Sequence, residues 1–149
     1  MKKVLYVFLI SCISLSIISC AKKDSTSSTT STETTSSVSY VSVGTNGTIL
    51  TSSDNGTTWP SRTSGTSNGL QRVIYANSTF VTVGDSGTIL TSSDGTTWTS
   101  RTSGTTNTLY GITYGNSTFV TVGNSGTIFT SSDGTTWSGA TCTRDNLCL

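Results

Sequence analysis

Three nearly identical stretches divide most of this 149-residue chain into a repeat: VSVGTNGTILTSSDNGTTW at 41–59, VTVGDSGTILTSSDGTTW at 81–98 and VTVGNSGTIFTSSDGTTW at 120–137. They start at Val41, Val81 and Val120, which lie 40 and 39 residues apart. A unit of that size cannot bury an apolar face on its own, so neighbouring units must stack. Each unit parses into four short strands punctuated by turn residues. In the second unit these are 70–75, 79–83, 88–92 and 97–102, with Asn77-Ser78, 84–87 and Asp94-Gly95 as the turns and 103–107 as the link onward. Val81 and Val83 face one way, Phe80 and Thr82 the other, and Ile89 opposes Leu90. Strands apolar on both faces are buried on both faces. No 3.6-residue stripe competes with this reading. The expectation is an all-β fold, a partial β-propeller of about three four-stranded antiparallel blades over residues 38–140.

The blade count poses a problem. The first unit has no recognisable opening strand and the third loses the repeat after Trp137. Closed propellers have about four to eight blades. Three solutions stay open: a truncated, even non-functional, piece of a longer propeller; self-association of several chains to complete the blades; or an open stack with an exposed face, which invites aggregation.

The turn motif resembles a known one. Ser52, Asp54, Gly56, Thr58 and Trp59 occupy the fixed positions of the Asp-box, S-x-D-x-G-x-T-W, the repeat of bacterial neuraminidases. Shortened by one residue, it returns as Ser92, Asp94, Gly95, Thr97 and Trp98, and as Ser131, Asp133, Gly134, Thr136 and Trp137. The wider pattern is similar to propellers of photosystem II assembly factors and of repetitive bacterial surface lipoproteins. The resemblance implies a box between the third and fourth strands, at the periphery. The aspartates suit a structural role, because a short carboxylate can cap the amides of its own turn. The glycines can take positive φ, and the tryptophans offer area for packing between sheets.

The chain's start differs from the repeat. Met1-Lys2-Lys3 precedes an uncharged, mostly apolar run over 4–18, which reads as a signal peptide over 1–19. The run is short for a spanning helix. Ile17-Ile18-Ser19-Cys20 resembles a bacterial lipobox, with Cys20 as the lipidated residue. That resemblance implies a thioether-linked diacylglycerol and a further acyl chain such as palmitate. Each buried methylene would contribute about 0.8 kcal/mol to membrane attachment. Residues 20–37, rich in Ser and Thr, read as a tether with nothing to bury.

Several function classes lose support. There is no histidine, and the only glutamate, Glu33, lies in the tether. Glycosidases need a positioned pair of carboxyl groups or a Tyr–Glu pair, so a sialidase-like hydrolase is a weak alternative. No cofactor or metal site is legible. The charge of +1 with four lysines, none after Lys23, offers no nucleic-acid surface. Arg62 and Arg101 recur at equivalent positions and read as edge-strand residues, while Arg72 stands alone and Arg144 lies in the tail. In the irregular tail, 141–149, Cys142 and Cys148 either pair as a disulfide of an oxidising compartment or belong to a degenerate end. Together these features point to a non-enzymatic lipoprotein of the bacterial envelope, lipid-anchored to the outer membrane or displayed at the surface. Its blades would bind a protein or glycan, or serve as a scaffold. An assembly factor for an envelope complex is the alternative that the photosystem resemblance implies.

Overall fold

The computed structural model describes residues 19–22 and 38–140. The signal-peptide residues 1–18, most of the tether (23–37) and the tail with Cys142, Arg144 and Cys148 lie outside the described residues. The described chain is all-β and forms three four-stranded sheets. The first contains β1 (Ser19–Lys22), β2 (Tyr40–Val43), β3 (Ile49–Ser52) and β4 (Ser61–Arg62). The second contains β5 (Leu70–Ala76), β6 (Thr79–Gly84), β7 (Ile89–Ser92) and β8 (Thr99–Arg101). The third contains β9 (Leu109–Gly115), β10 (Thr118–Gly123), β11 (Ile128–Ser131) and β12 (Ser138–Gly139). Within each sheet the strands pair antiparallel in chain order, which makes each one a propeller-type blade.

One feature corrects the sequence reading. The first blade does have an opening strand, supplied by Ser19–Lys22 rather than by a repeat segment. Three residues assigned to the tether, Cys20 to Lys22, therefore belong to a sheet. Ser-Cys-Ala-Lys shares no residue pattern with the opening strands at 70–76 and 109–115. It fits through alternation alone: Ala21 is buried opposite Val41, while Cys20 and Lys22 point to the other face. The third blade also closes, through the short β12.

The turns follow from local chemistry. Asn77-Ser78 and Asn116-Ser117 join their strands as two-residue hairpins with positive φ at both positions, which suits the right-handed twist of the flanking strands. A tight 3-10 turn joins the second and third strands of each blade, at Thr45–Gly47, Asp85–Gly87 and Asn124–Gly126.

Blade packing produces two apolar layers. One joins Val41, Val43 and Ile49 of the first blade to Phe80, Leu90, Val73 and Trp98 of the second. The other joins Val81, Val83 and Ile89 of the second to Phe119, Ile112, Phe129 and Trp137 of the third. The opening strands lie side by side, β1 against β5 and β5 against β9. The Ser19 hydroxyl accepts the Val73 N–H at 3.0 Å. Each closing strand sits at the far edge of its own sheet, so the blades radiate from the side of the opening strands.

Phe80 has no exposed surface and touches Tyr75 and Trp98. Replacing it with alanine empties the layer between the first two blades. Phe80→Ala is expected to destabilise the fold by about 3–5 kcal/mol in urea denaturation.

Candidate functional site

The Asp-box turns are built almost entirely from their own hydrogen bonds. In the second blade Ser92, buried at the end of β7, donates to Asp94 Oδ1 at 2.9 Å and accepts the Gly95 N–H at 2.8 Å. Asp94 Oδ1 also accepts the N–H groups of Thr96 and Thr97 at 2.7 and 2.8 Å. The Trp98 indole donates to the Gly95 carbonyl at 3.1 Å. The third blade repeats this with Ser131, Asp133, Gly134, Thr136 and Trp137. In the first blade Asp54 accepts from Ser52, Thr57 and Thr58, while Trp59 donates to Gly56. The extra residue, Asn55, is accommodated at φ 58°.

These bonds hold the carboxylates ionised. The Thr58 hydroxyl, the Thr58 N–H and Ser52 keep Asp54 well below the usual carboxylate range. For Asp94 partial desolvation pushes upward, but the bonds from Thr97, Thr96 and Ser92 outweigh it. The Thr135 hydroxyl leads the same depression at Asp133. A carboxylate so occupied is a poor proton donor near neutral pH. Gly95 is needed for packing as well as conformation, with φ at +76°. A Cβ there would come within 2.8 Å of Val38 and 3.3 Å of Phe80.

Antiparallel connectivity puts the Asp-boxes and the Asn-Ser hairpins at one end of the blades. The 3-10 turns and the interblade links lie at the other end. There the structure opens a cleft of about 740 Å³. Its walls are the link at Gly65–Thr66 with Asn68, the turn at Ser86–Thr88, and the run from Ser100 to Thr106. Buried Leu90 also lines it, and Arg101 is the charged group on its wall. The Arg101 Nε donates to Thr91 Oγ1 at 2.8 Å, which orients the guanidinium. Asn68 donates to Thr88 Oγ1 at 2.9 Å and Ser103 to the Thr105 carbonyl at 3.2 Å, so both walls are braced internally. A smaller cleft of about 250 Å³ also reaches Arg101, from the side of Asp133 and Thr135. Hydroxyls, amides and one oriented guanidinium are the chemistry of a site for a polar, hydroxyl-rich or anionic ligand.

Arg101 lies on the edge strand β8, as its place in the repeat predicts. The cleft has no local sequence signal, because its lining residues come from two links more than thirty positions apart. Arg62 repeats the contact, donating to Thr51 Oγ1 at 2.9 Å, but does not line the large cleft. Arg72 is exposed on β5. Cys20 lies on the exposed side of β1, where desolvation pushes its thiol pKa up. Among the described residues no three His, Cys, Asp or Glu side chains cluster as a metal site. Nor is any described helix long and apolar enough to cross a membrane.

Comparison with known proteins gives a likeness of fold. No family model matches the chain, and no curated protein does so by sequence. Among solved structures, YCF48 from Cyanidioschyzon merolae superposes with a TM-score of 0.57 at 22% identity. The match covers 70% of this chain and 33% of that one. The three blades thus match about a third of the YCF48 chain, and the fold is that of part of a propeller.

Two measurements test the box. Ser92→Ala leaves the buried Gly95 N–H without its acceptor and is expected to cost about 1–3 kcal/mol in urea denaturation. Ser93→Ala, at an exposed neighbour, should stay within about 0.5 kcal/mol of the parent. The pH dependence has a definite sign. Folding depresses the three aspartates, so the unfolded chain takes up protons first. Their contribution is complete above about pH 3.9, the unfolded value, and is lost as the pH falls toward the folded one. Melting temperature should therefore change little on this account between pH 7 and 5, then drop below about pH 4. The Asp54, Asp94 and Asp133 to Asn triple variant should show a flatter acid limb.

Proposed function

We propose that this propeller-like chain is a binding or scaffold module that a bacterial cell holds at its envelope through acylated Cys20. The observation that carries the binding reading is the polar cleft beside Arg101, at the end of the blades away from the Asp-boxes. The three Asp-box carboxylates are engaged in turn bonds, and Asp85, at the cleft end, accepts from the Gln71 amide at 2.9 Å. A protein loop or a glycan supplies the hydroxyls and anionic groups that such a cleft can recognise. The lipobox-like Ile17-Ile18-Ser19-Cys20 carries the anchor. Processing at the lipobox would remove Ser19 and leave residues 20–22 of β1; with these in the sheet, an acyl chain on Cys20 would leave from the face of the first blade that also bears Tyr40.

The likeness to YCF48 favours a second reading, in which the module helps assemble an envelope complex, as the resemblance to photosystem II assembly factors implies. Affinity purification from the native envelope separates the two. Recovery of one defined membrane complex supports assembly, and recovery of a host or matrix ligand supports display.

Metabolic labelling with an alkynyl fatty acid should mark the parent and leave Cys20→Ala unmarked; a mark on both, or on neither, removes the anchor. Arrays of glycans and matrix proteins test the cleft. Arg101→Ala should weaken any captured ligand about tenfold or more, with stability followed in parallel. Turnover of a fluorogenic sialoside by the purified chain would overturn the non-catalytic reading.

A further inference from the structure

Each blade has two unlike faces, and the chain shows twice how they fit. The leading face carries a large residue on the second strand, another on the third and the Asp-box tryptophan: Phe80, Leu90 and Trp98 in the second blade. The trailing face carries two valines and an isoleucine: Val81, Val83 and Ile89 in the same blade. The trailing face of the first blade covers the leading face of the second, and that of the second covers the leading face of the third. Both contacts leave the trailing residues essentially without exposed surface.

Among the described residues, the two outermost faces are the same surfaces without a partner blade. On the third blade the trailing face is Val120, Val122 and Ile128; Val122 is 45% exposed and the other two are partly exposed. On the first blade the leading face is Tyr40, Leu50 and Trp59, with Trp59 37% exposed. The backbone repeats the pattern. A Cβ on Gly47 or Gly87 would strike the carbonyl of Thr66 or Thr105 in the following link, whereas Gly126 meets no described residue within 4 Å. The Asp-box glycine Gly95 is pressed against the preceding blade, while Gly56 meets only its own Trp59. Val120, Val122, Ile128, Tyr40, Leu50 and Trp59 are uncharged, and the one cation beside them on the leading face, Lys22, lies over the Tyr40 ring at 6.0 Å, at the edge where its ammonium can stay in water.

We propose that a second copy of this chain covers these faces, the trailing face of one copy seating on the leading face of the other. The mode of contact is the one already made twice inside each chain. Two copies related by a two-fold axis make two such contacts and bring six blades together, a number at which propellers close. This inference does not rest on the lipid anchor and places a condition on it. In the docked pair Cys20 occupies the place of Val73 and Ile112, which are 2% and 6% exposed under the preceding blade. Acylation of Cys20 and docking of that face therefore exclude each other while β1 stays in the sheet.

The test uses the full chain with Cys20→Val, which cannot be acylated and places at position 20 the residue of the second blade. Native mass spectrometry from non-ionic detergent should give two copies. Val122→Arg on the trailing face and Leu50→Arg on the leading face should each give one copy. Near-ultraviolet circular dichroism checks that both fold, and Tyr40→Glu is the second leading-face variant. Mixing the trailing-face and leading-face variants should restore a pair containing one of each, because one intact contact remains between them. A single copy before either face is altered would overturn the proposal; the faces would then be free, covered by another segment of the chain, or seated on lipid. A pair that survives both substitutions, a mixture that fails to pair, or an open-ended series of masses would overturn it equally.

Discussion

Blade-on-blade burial is the interaction on which the structure depends. A four-stranded sheet of about 40 residues has no interior of its own, and every apolar side chain on it lies on one of two faces. Stability must therefore come from the contact between trailing valines and isoleucine on one blade and the aromatic and leucine residues on the next. In such arrays stability is close to a sum over units and nearest-neighbour contacts. Three blades make two contacts, and the layers around Phe80 and Phe119 are those two contacts.

The Asp-box serves that packing. Its hydrogen bonds fix a turn between the third and fourth strands, and the fixed turn delivers a tryptophan to the edge of the layer. Each box tryptophan lies 6.4 Å, centroid to centroid, from the aromatic residue on the second strand of its blade. The same contact recurs in all three blades although the first box is a residue longer. The bonds to Asp54, Asp94 and Asp133 thus act at one remove from the core, setting the position of a side chain rather than supplying buried area. Strong internal pairing also leaves these carboxylates little capacity for chemistry, which moves attention to the opposite end of the blades.

Repetition made much of the fold legible. The strands of the second unit fall within two residues of the positions that alternation and turn residues indicate, and the opposed faces of Phe80 and Val81 are as read. The first opening strand was not legible, because Ser19–Lys22 joins its sheet without resembling β5 or β9. Four residues in simple alternation carry too little pattern to stand out beside an apolar leader and a Ser/Thr-rich run. The cleft at Arg101 escaped for a different reason. Gly65 and Thr105 become neighbours across it only when two blades stack, and no local signal marks a space between links.

The sequence by itself determined the unit: its four strands, its turns, the two faces of each strand and the hydrogen-bonding groups of the box. These depend on residues within a few positions of one another, so local chemistry decides them. Tertiary structure alone decided which segment completes the first blade, which glycines are pressed against a neighbour, and which copies of an identical face are left uncovered. Val83 and Val122 stand at equivalent places in the repeat, yet one is fully buried and the other 45% exposed. Burial is set by what lies on the other side of the face, and the residue itself carries no record of that.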